Sequence, residues 1–253
     1  MAAHFQLLSF VFPAWNEEEM ISQTVVAATE AGLELVAQHE IGDYEIVLVD
    51  DGSSDRTPYL VDDLAAADPH VRAVHHPHNR GLGASVRSGF DAAKGDAILY
   101  TDADLPFDLL LLQKAFRLMR IYDADIVSMY RFDRTAEGPK RYLYSHLYNW
   151  LVRSLLGVRL RDVNFAGKLI RREVLEHVEL HSEGSFVDVE LMAQAVRLGF
   201  NIIQFGVDYF PRTRGTSTLA APTVIAGIIG DLTKERSRLR RVQPLPDDQR
   251  RRS

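Results

Sequence analysis

Cysteine is absent from this chain of 253 residues, so neither a disulfide framework nor a thiolate metal site is possible. Long apolar runs are also missing, since none approaches the roughly 18 residues that a membrane-spanning helix requires. Residues 1–12 lack the basic segment and apolar core of a cleavable secretory signal. These absences favour a cytoplasmic protein in a reducing compartment.

The chain as a whole has no excess of positive charge, although its C-terminal residues do. The chain has a net charge of −6, but residues 233–253 contain eight Lys or Arg and three Asp or Glu, a net of +5. The preceding residues therefore carry −6 minus +5, or −11, which argues against a fold that binds nucleic acid. The basic segment suits anionic lipid headgroups, to which each basic residue contributes about 1 kcal/mol. A solvated tail explains the same pattern, and both interpretations stay open.

Apolar runs alternate with helical patterns through most of the chain. The predicted strands are residues 7–12, 44–49, 71–75, 98–101, 125–129, 165–170 and 201–207. The predicted helices are residues 17–31, 57–67, 84–93, 109–122 and 189–198. This order predicts an α/β fold with a mainly parallel, twisted, doubly wound sheet, helices on both faces and ligands beyond the carboxyl ends of the strands. We expect this domain to span residues 1–218, with a short apolar and basic C-terminal helix and tail at 219–253.

Two carboxylates, Asp102 and Asp104, follow the apolar residues 98–101 with one residue between them. Side chains alternate in an extended segment, so both carboxylates would point the same way at the end of a buried strand. Mg²⁺ and Mn²⁺ prefer such oxygen ligands and commonly join one or two carboxylates to the phosphates of a substrate. Aspartates of an ordinary turn or helix cap give the same short pattern, so this interpretation depends on the other loops.

Four segments in order carry a more specific pattern: FPAWNEEE at 12–19, IVLVDDGSSD at 46–55, NRGLGASVRSG at 79–89 and YTDAD at 100–104. Together they resemble the inverting family-2 glycosyltransferases of GT-A fold, and most closely the dolichol-phosphate mannose synthases and related polyprenyl-phosphate sugar transferases. The resemblance covers roughly residues 7–215. It implies metal-dependent, inverting transfer of a sugar from a GDP- or UDP-sugar to dolichyl or undecaprenyl phosphate, with Mg²⁺ or Mn²⁺ as the cofactor.

The loops after the first, second and fourth strands are the predicted sugar-nucleotide site. The residues expected to contact the nucleotide sugar are Pro13, Trp15, Glu17, Val49, Asp51, Arg80, Asp102 and Ala103. Asp51 suits hydrogen bonds from a base or ribose, although an Asx turn is the alternative. Pro13, Trp15 and Val49 suit apolar walls. The Gly-rich loop at 79–83 lacks the full dinucleotide-binding spacing and is interpreted as structural, with Arg80 orienting the nucleotide.

The resemblance also assigns the metal ligands. Asp104 is the predicted direct ligand, and Asp102 is predicted to contact the ribose or the metal. In the mannose synthases, the position two residues after the second aspartate is typically Gln, but this chain has Pro106, which offers no side-chain donor or acceptor. Either Asp108 or water replaces that ligand, or the metal is held less tightly.

Basic residues are predicted to bind the donor and acceptor phosphates, because the planar fork of arginine matches phosphate oxygens. The predicted set is Arg131, Lys140, Arg141, Ser145, Arg212 and Arg214, and Arg131 is also a catalytic candidate. Aromatic and leucine residues at 142–151 offer the alternative of an apolar helix face that receives a prenyl chain or lies on a membrane. We therefore expect the cytoplasmic face of a membrane as a working site, reached by peripheral contact or through an anchoring partner.

Asp188 and Glu190 resemble an acidic pair of the same family and complete the catalytic candidates with Asp104. On a helix they would lie on different faces, so only one is expected to reach the site; a helix cap is the alternative for Asp188. A sugar hydroxyl needs a general base, whereas a lipid monophosphate is already mostly anionic near pH 7. The basic residues favour the phosphate acceptor. A hydroxyl acceptor with Asp188 or Glu190 as base is one alternative, and a non-catalytic sugar-nucleotide-binding module is another.

Overall fold

The structure is a computed structural model that describes residues 4–132, 152–209 and 222–246. Its strands are β1 (Phe5–Ala14), β2 (Ile41–Asp50), β3 (Val71–His75), β4 (Ala97–Thr101), β5 (Ile126–Arg131), β6 (Gly167–Arg171) and β7 (Ile202–Val207). Its α-helices are α1 (Ile21–Ala37), α2 (Thr57–Ala67), α3 (Leu82–Ala92), α4 (Leu112–Ile121), α5 (Arg172–His177), α6 (Val187–Leu198) and α7 (Pro222–Arg241). A 3₁₀ turn at Leu109–Leu111 precedes α4, and residues 152–156 are also helical.

Within these ranges, seven strands form a sheet of order β3-β2-β1-β4-β6-β5-β7. The pairs β3–β2, β2–β1, β1–β4 and β5–β7 are parallel, whereas β6 is antiparallel to both β4 and β5. The predicted mainly parallel α/β fold is therefore confirmed. The reversed direction of β6 is a feature that the apolar pattern did not indicate.

Alternate side chains of the central strands enter two different apolar clusters, one on each face of the sheet. Phe10 and Phe12 of β1 pack in the first cluster, which includes buried residues of α1, α2 and α4. Val11 of β1 packs in the second cluster, which includes buried residues of α3, α5, α6 and α7. Because both faces are covered by helices, the strands read as nearly continuous apolar runs in the sequence.

The register of the sheet brings the predicted site loops together. Pro13 lies opposite Val49, and Ala14 lies opposite Asp50, so the loops after β1 and β2 begin side by side. β1 continues through Pro13 beyond its predicted end, because β2 still runs beside it and the Ala14 carbonyl accepts a hydrogen bond from Asp51 N at 2.9 Å. β4 is the other neighbour of β1, so its loop opens at the same carboxyl edge of the sheet.

The C-terminal helix α7 packs on the body of the protein. Leu232 and Leu239 are buried in the second cluster, and Leu245 N donates a hydrogen bond to the Leu198 carbonyl at 3.0 Å. The predicted boundary at residue 218 lies outside the described residues and stays a prediction. Among the helices that are described, none is both long and apolar enough to span a bilayer.

Candidate active site

The loops after β1 and β2 are joined by hydrogen bonds between backbone N–H groups and short polar side chains. Asn16 N donates to Ser53 Oγ at 2.9 Å, and Ser54 N donates back to Asn16 Oδ1 at 2.9 Å. Glu17 N donates to Thr57 Oγ1 at 2.8 Å. Asn16 adopts a φ of +56°, a left-handed conformation that asparagine tolerates better than most residues. The two loops therefore form one connected surface at the carboxyl edge.

The predicted apolar walls differ in how much surface they present. Trp15, just after β1, has 53% of its surface exposed, whereas Pro13 within β1 is buried. Val49 has no exposed surface and packs toward Gly89 of α3. The predicted contact of Val49 with the nucleotide stays a prediction, although its side chain lies in the core rather than on the surface of the loops. Glu17 is half-buried beside Trp15 in the same loop.

Asp51 has a buried carboxylate that already accepts several hydrogen bonds. His76 Nδ1 lies 2.6 Å from Asp51 Oδ1, and Arg80 N donates to the same oxygen at 2.9 Å. Gly81 N donates to Asp51 Oδ2 at 2.8 Å. The carboxylate thus connects the end of β2 to the start of α3, and the Arg80 side chain is exposed there. Its contact with a base or ribose stays a prediction; His76 was missed because a histidine at the end of a weakly predicted strand carries no distinctive signal.

The third loop holds Asp102 and Asp104, both half-buried, directly after β4. Thr101 Oγ1 donates to the Ala166 carbonyl at 2.7 Å, and Thr24 Oγ1 of α1 donates to the Ala103 carbonyl at 2.5 Å. Leu105 has a φ of +51°, which costs a non-glycine residue on the order of 1 kcal/mol. The loop is therefore held from both sides in a conformation that its sequence does not favour, as is common at functional sites.

The predicted metal ligands fit a cation that is shared with a substrate. Among the described residues, no group of three or more His, Asp or Glu side chains converges on a common point. Asp108 is exposed, and its Oδ1 caps the 3₁₀ turn by accepting from Leu110 N at 2.9 Å, while Pro106 is buried. Two aspartates satisfy Mg²⁺ or Mn²⁺ when phosphate oxygens and water supply the remaining ligands. The donor set at Asp102 and Asp104 has that chemistry.

Arg131, at the end of β5, is oriented by a carboxylate that the sequence did not reveal. Its Nε and Nη2 donate to the two oxygens of buried Asp162 at 2.7 and 2.9 Å. Its guanidinium also lies 5.8 Å from the centre of the Phe165 ring and 5.2 Å from that of Tyr209. The two hydrogen bonds to Asp162 therefore fix the orientation of the Arg131 guanidinium. Its predicted contact with a phosphate stays a prediction.

Asp188 forms a buried ion pair with Lys168 of β6. The Lys168 Nζ to Asp188 Oδ1 distance is 2.5 Å, and the same ammonium donates to the Phe165 carbonyl at 2.8 Å. Burial raises the pKa of the Asp188 carboxyl, although the Lys168 charge opposes this effect. Lys168 lies opposite Tyr100 in the sheet, and burial raises the pKa of the Tyr100 hydroxyl well above its usual range. Lys168 was missed because an isolated lysine in a strand usually lies in solvent.

Glu190 is fully buried and both of its oxygens are in use. His181 N donates to Oε1 at 2.9 Å, Ser182 N donates to Oε2 at 2.9 Å, and Arg238 Nη2 of α7 also donates to Oε1. The predicted role of Glu190 as a general base therefore does not fit this geometry. Asp188 and Glu190 contact different neighbours, and each is engaged inside the protein; that one of them reaches the substrates stays a prediction.

The remaining predicted phosphate ligands lie outside the described residues. These are Lys140, Arg141, Ser145, Arg212 and Arg214. Their roles stay predictions.

Comparison with known proteins identifies the family to which these loops belong. Residues 9–179 match the sequence profile described as glycosyl transferase family 2. The chain belongs to that family. It is 36% identical over 210 residues to glycosyltransferase AglD of Haloferax volcanii, covering 81% of this chain and 33% of that protein. It therefore spans about a third of the length of this relative.

Two other relatives share a similar level of identity. The polyprenol monophosphomannose synthase of Mycolicibacterium smegmatis is 31% identical over 226 residues, covering 85% of this chain and 81% of the relative. An undecaprenyl-phosphate 4-deoxy-4-formamido-L-arabinose transferase of Shewanella sediminis is 32% identical over 196 residues, covering 74% of this chain and 55% of the relative.

Solved structures show the same fold at lower identity. Glucosyl-3-phosphoglycerate synthase from Mycobacterium tuberculosis, in complex with phosphoglyceric acid, superposes with a TM-score of 0.68 at 22% identity, covering 92% of this chain and 80% of that one. The same enzyme in complex with Mn²⁺ and UDP-glucose gives a TM-score of 0.66 at 22% identity, covering 91% and 79% of the two chains. The GT-A fold that the sequence motifs implied is confirmed.

Proposed function

We propose that this chain transfers a sugar from a nucleoside-diphosphate sugar to a polyprenyl phosphate with inversion at the anomeric carbon. Two relatives named above are a polyprenol monophosphomannose synthase and an undecaprenyl-phosphate sugar transferase, which supports an acceptor of this class. In the reaction, a phosphate oxygen of the acceptor forms a bond to the anomeric carbon. The bond from that carbon to the donor diphosphate breaks, and the nucleoside diphosphate leaves with the electron pair.

The observation that carries this proposal is the engagement of the two acidic side chains of α6. Glu190 has no exposed surface and accepts three hydrogen bonds, while Asp188 is paired with Lys168. A sugar hydroxyl would have to lose a proton to a base, whereas a lipid phosphate is mostly ionised near neutral pH and needs none. The geometry of both acids therefore supports the phosphate acceptor over the hydroxyl alternative.

The chain's own groups would bind and orient the two substrates. The connected loops after β1 and β2 would hold the nucleoside, with the exposed Trp15 indole offering an apolar face to the base. Arg131, whose guanidinium is oriented by the Asp162 carboxylate, would bind phosphate oxygens of the donor or acceptor. Asp104 and Asp102 would hold Mg²⁺ or Mn²⁺, which when bound neutralises charge on the departing diphosphate.

A transfer assay with a paired variant tests the function. Purified protein with Mn²⁺ is given a panel of UDP- and GDP-sugars and either a polyprenyl phosphate or the corresponding polyprenol in anionic vesicles. We expect release of nucleoside diphosphate with the phosphate acceptor alone. Thermal shifts with the free nucleoside diphosphates should identify the preferred base, because stabilisation grows with ligand concentration relative to the dissociation constant. Co-sedimentation with the vesicles tests direct membrane contact, which a protein without affinity for them would contradict.

The variant Asp104→Asn should lose at least about 100-fold in turnover, because it weakens several kcal/mol of charge stabilisation. Asp63→Asn, which alters an exposed aspartate on α2, is the matched control and should retain turnover. Transfer to the polyprenol but not to the phosphate would refute the acceptor assignment. Full turnover by Asp104→Asn would refute the metal assignment.

A further inference from the structure

We infer that Arg238 of the C-terminal helix α7 is a positioning residue for the nucleotide site, acting through Glu190 and the loop of residues 179–184. This arginine lies outside the sequence motifs and outside residues 9–179, which match the family profile. The expected effect of Arg238 on nucleotide binding rests on the proposed function, but its expected effect on the loop and the start of α3 does not. Four successive contacts connect Arg238 to the turn at Asp51.

The first contact joins α7 to α6. Arg238 Nη2 donates to Glu190 Oε1, and Arg238 Nε donates to Glu235 Oε2 at 2.6 Å. Arg238 Nη1 also donates to the Glu179 carbonyl at 3.2 Å, at the start of the 179–184 loop. Glu190 is fully buried, so its negative charge is compensated by a cation that the last helix of the described chain supplies. A buried carboxylate that loses such a partner is strongly unfavourable.

The second contact joins Glu190 to the 179–184 loop. The carboxylate accepts hydrogen bonds from His181 N and Ser182 N, both at 2.9 Å. Gln194 of α6 fixes the first residue of the loop, because its side chain both donates to the Glu179 carbonyl at 2.7 Å and accepts from Glu179 N at 3.1 Å. Glu190 therefore controls the middle of the loop, while Gln194 controls its beginning.

The third contact joins the loop to the start of α3. Gly83 N donates to the Glu183 carbonyl at 2.8 Å, and Arg87 Nη1 donates to the Ser182 carbonyl. A Cβ atom at Gly83 would lie 2.1 Å from the Ser182 carbonyl oxygen, and one at Gly81 would lie 2.4 Å from that of Glu183. The main chain of the 179–184 loop thus contacts the main chain at the start of α3 with no side chain between them. A shift of the loop therefore displaces the start of α3 directly.

The fourth contact joins the start of α3 to the nucleotide loops. Arg80 N and Gly81 N both donate to the Asp51 carboxylate, at 2.9 and 2.8 Å. Asp51 follows β2, whose loop is hydrogen-bonded to the loop that carries Trp15. Removing the Arg238 guanidinium should therefore loosen the loop, the start of α3 and the Asp51 turn in that order.

The test compares Arg238→Met with Arg240→Met, which alters an exposed arginine two residues along the same helix. Binding of UDP and GDP with Mn²⁺ is measured by calorimetry, and amide hydrogen exchange is followed at residues 80 and 81. We expect Arg238→Met to raise the dissociation constant of the preferred nucleotide by roughly five- to tenfold and to speed exchange at both amides. Arg240→Met should change neither. Arg238→Lys should restore part of the affinity, because an ammonium can still pair with Glu190.

A second variant separates positioning from loss of stability. Glu190→Gln combined with Arg238→Met leaves no buried charge unpaired, so this double variant tests the contact even if Arg238→Met does not fold. Unchanged affinity and unchanged exchange in the Arg238 variants would overturn the inference. If the wild-type protein binds neither nucleotide, the proposed function fails; faster exchange at residues 80 and 81 in Arg238→Met would then still support the positioning contact, and unchanged exchange would overturn it.

Discussion

The two sides of the candidate site are held together by different kinds of contact. On one side, the loops after β1 and β2 exchange hydrogen bonds between backbone N–H groups and short side chains such as those of Asn16 and Thr57. On the other side, β6, α6 and α7 are joined by ion pairs between long side chains, Lys168 with Asp188 and Arg238 with Glu190. We name the two sides after the proposed function: the first is the nucleotide side and the second, which carries the two acidic side chains on which the acceptor proposal rests, is the acceptor side.

The difference predicts unequal tolerance to substitution. A single neutral hydrogen bond contributes about 1 kcal/mol, and an exposed loop can replace a lost partner with water. A buried ion pair is different, because removing one partner leaves a charge without solvent and costs about 3–5 kcal/mol. The acceptor side should therefore be the more fragile of the two.

The largest effect is expected for Lys168→Met, which leaves the buried Asp188 carboxylate without its cationic partner. We expect a loss of about 3–5 kcal/mol in the free energy of unfolding, measured by urea denaturation. The double variant Lys168→Met with Asp188→Asn should lose less than Lys168→Met alone, because no buried charge remains. Lys94→Met, at an exposed lysine, is the control and should stay within about 0.5 kcal/mol of wild type. A similar small loss for Lys168→Met would remove the basis for calling the acceptor side fragile.

A smaller effect is expected where the two sides touch. Gly83→Ala places a Cβ 2.1 Å from the Ser182 carbonyl oxygen, so the main chain must move, at a cost of about 1–3 kcal/mol. Gly184→Ala adds the same methyl group on the 179–184 loop that faces Gly83, with no atom within 4 Å. Thermal unfolding of the two variants should separate them by several degrees. Equal midpoints would mean that the contact between the loop and α3 is soft, which would also weaken the case for Arg238.

The smallest effect is a difference in pH dependence, and its sign distinguishes the two sides. Burial raises the pKa of Asp55 on the nucleotide side, but hydrogen bonds from Thr57 and Glu18 outweigh it, so the net pKa is lowered from 3.8. Asp55 therefore contributes stability above pH 3.8 that is lost as the pH falls through its folded pKa. The raised pKa of Asp188 acts in the opposite direction, because its contribution is present below 3.8 and lost as the pH rises through its folded pKa.

Urea titrations between pH 3 and 8 on wild type, Asp55→Asn and Asp188→Asn measure these slopes. Asp55→Asn should reduce the loss of stability that wild type shows as the pH falls into the acid range. Asp188→Asn should instead reduce the loss of stability that occurs as the pH rises above about 4. Each slope change is bounded by about 1.4 kcal/mol per pH unit, the value for one proton. Slope changes of the same sign in both variants would contradict the contrast between the two sides.

The nucleotide side was largely predictable from the sequence because its residues lie in contiguous motifs at strand ends. Once the strands were predicted to be parallel, the loops carrying Trp15, Asp51 and Asp104 had to open at one edge of the sheet, as the register confirms. The motifs did not reveal that Val49 is fully buried. Side chains of a strand alternate between the two faces of the sheet, and Val49 is buried because its face is covered by α3.

The acceptor side was less predictable because its partners are far apart in the chain. Asp162 follows Arg131 by 31 residues, Asp188 follows Lys168 by 20, and Arg238 follows Glu190 by 48. The sequence around one residue of such a pair does not indicate which distant residue is its partner. The basic residues near the C-terminus were interpreted as lipid-facing or solvated, yet Arg238 turns inward.

The reversed direction of β6 has a consequence for how this enzyme family can diversify. β5 runs toward the carboxyl edge, and β6 starts from that same edge, with Ser128 opposite Lys168. β5 therefore ends, and β6 begins, at the edge of the sheet that carries the site. Doubling the length of a flexible connection adds only about 0.6 kcal/mol of closure entropy. An insertion between β5 and β6 would thus add chain at the edge that carries the site, at little cost to the stability of the sheet.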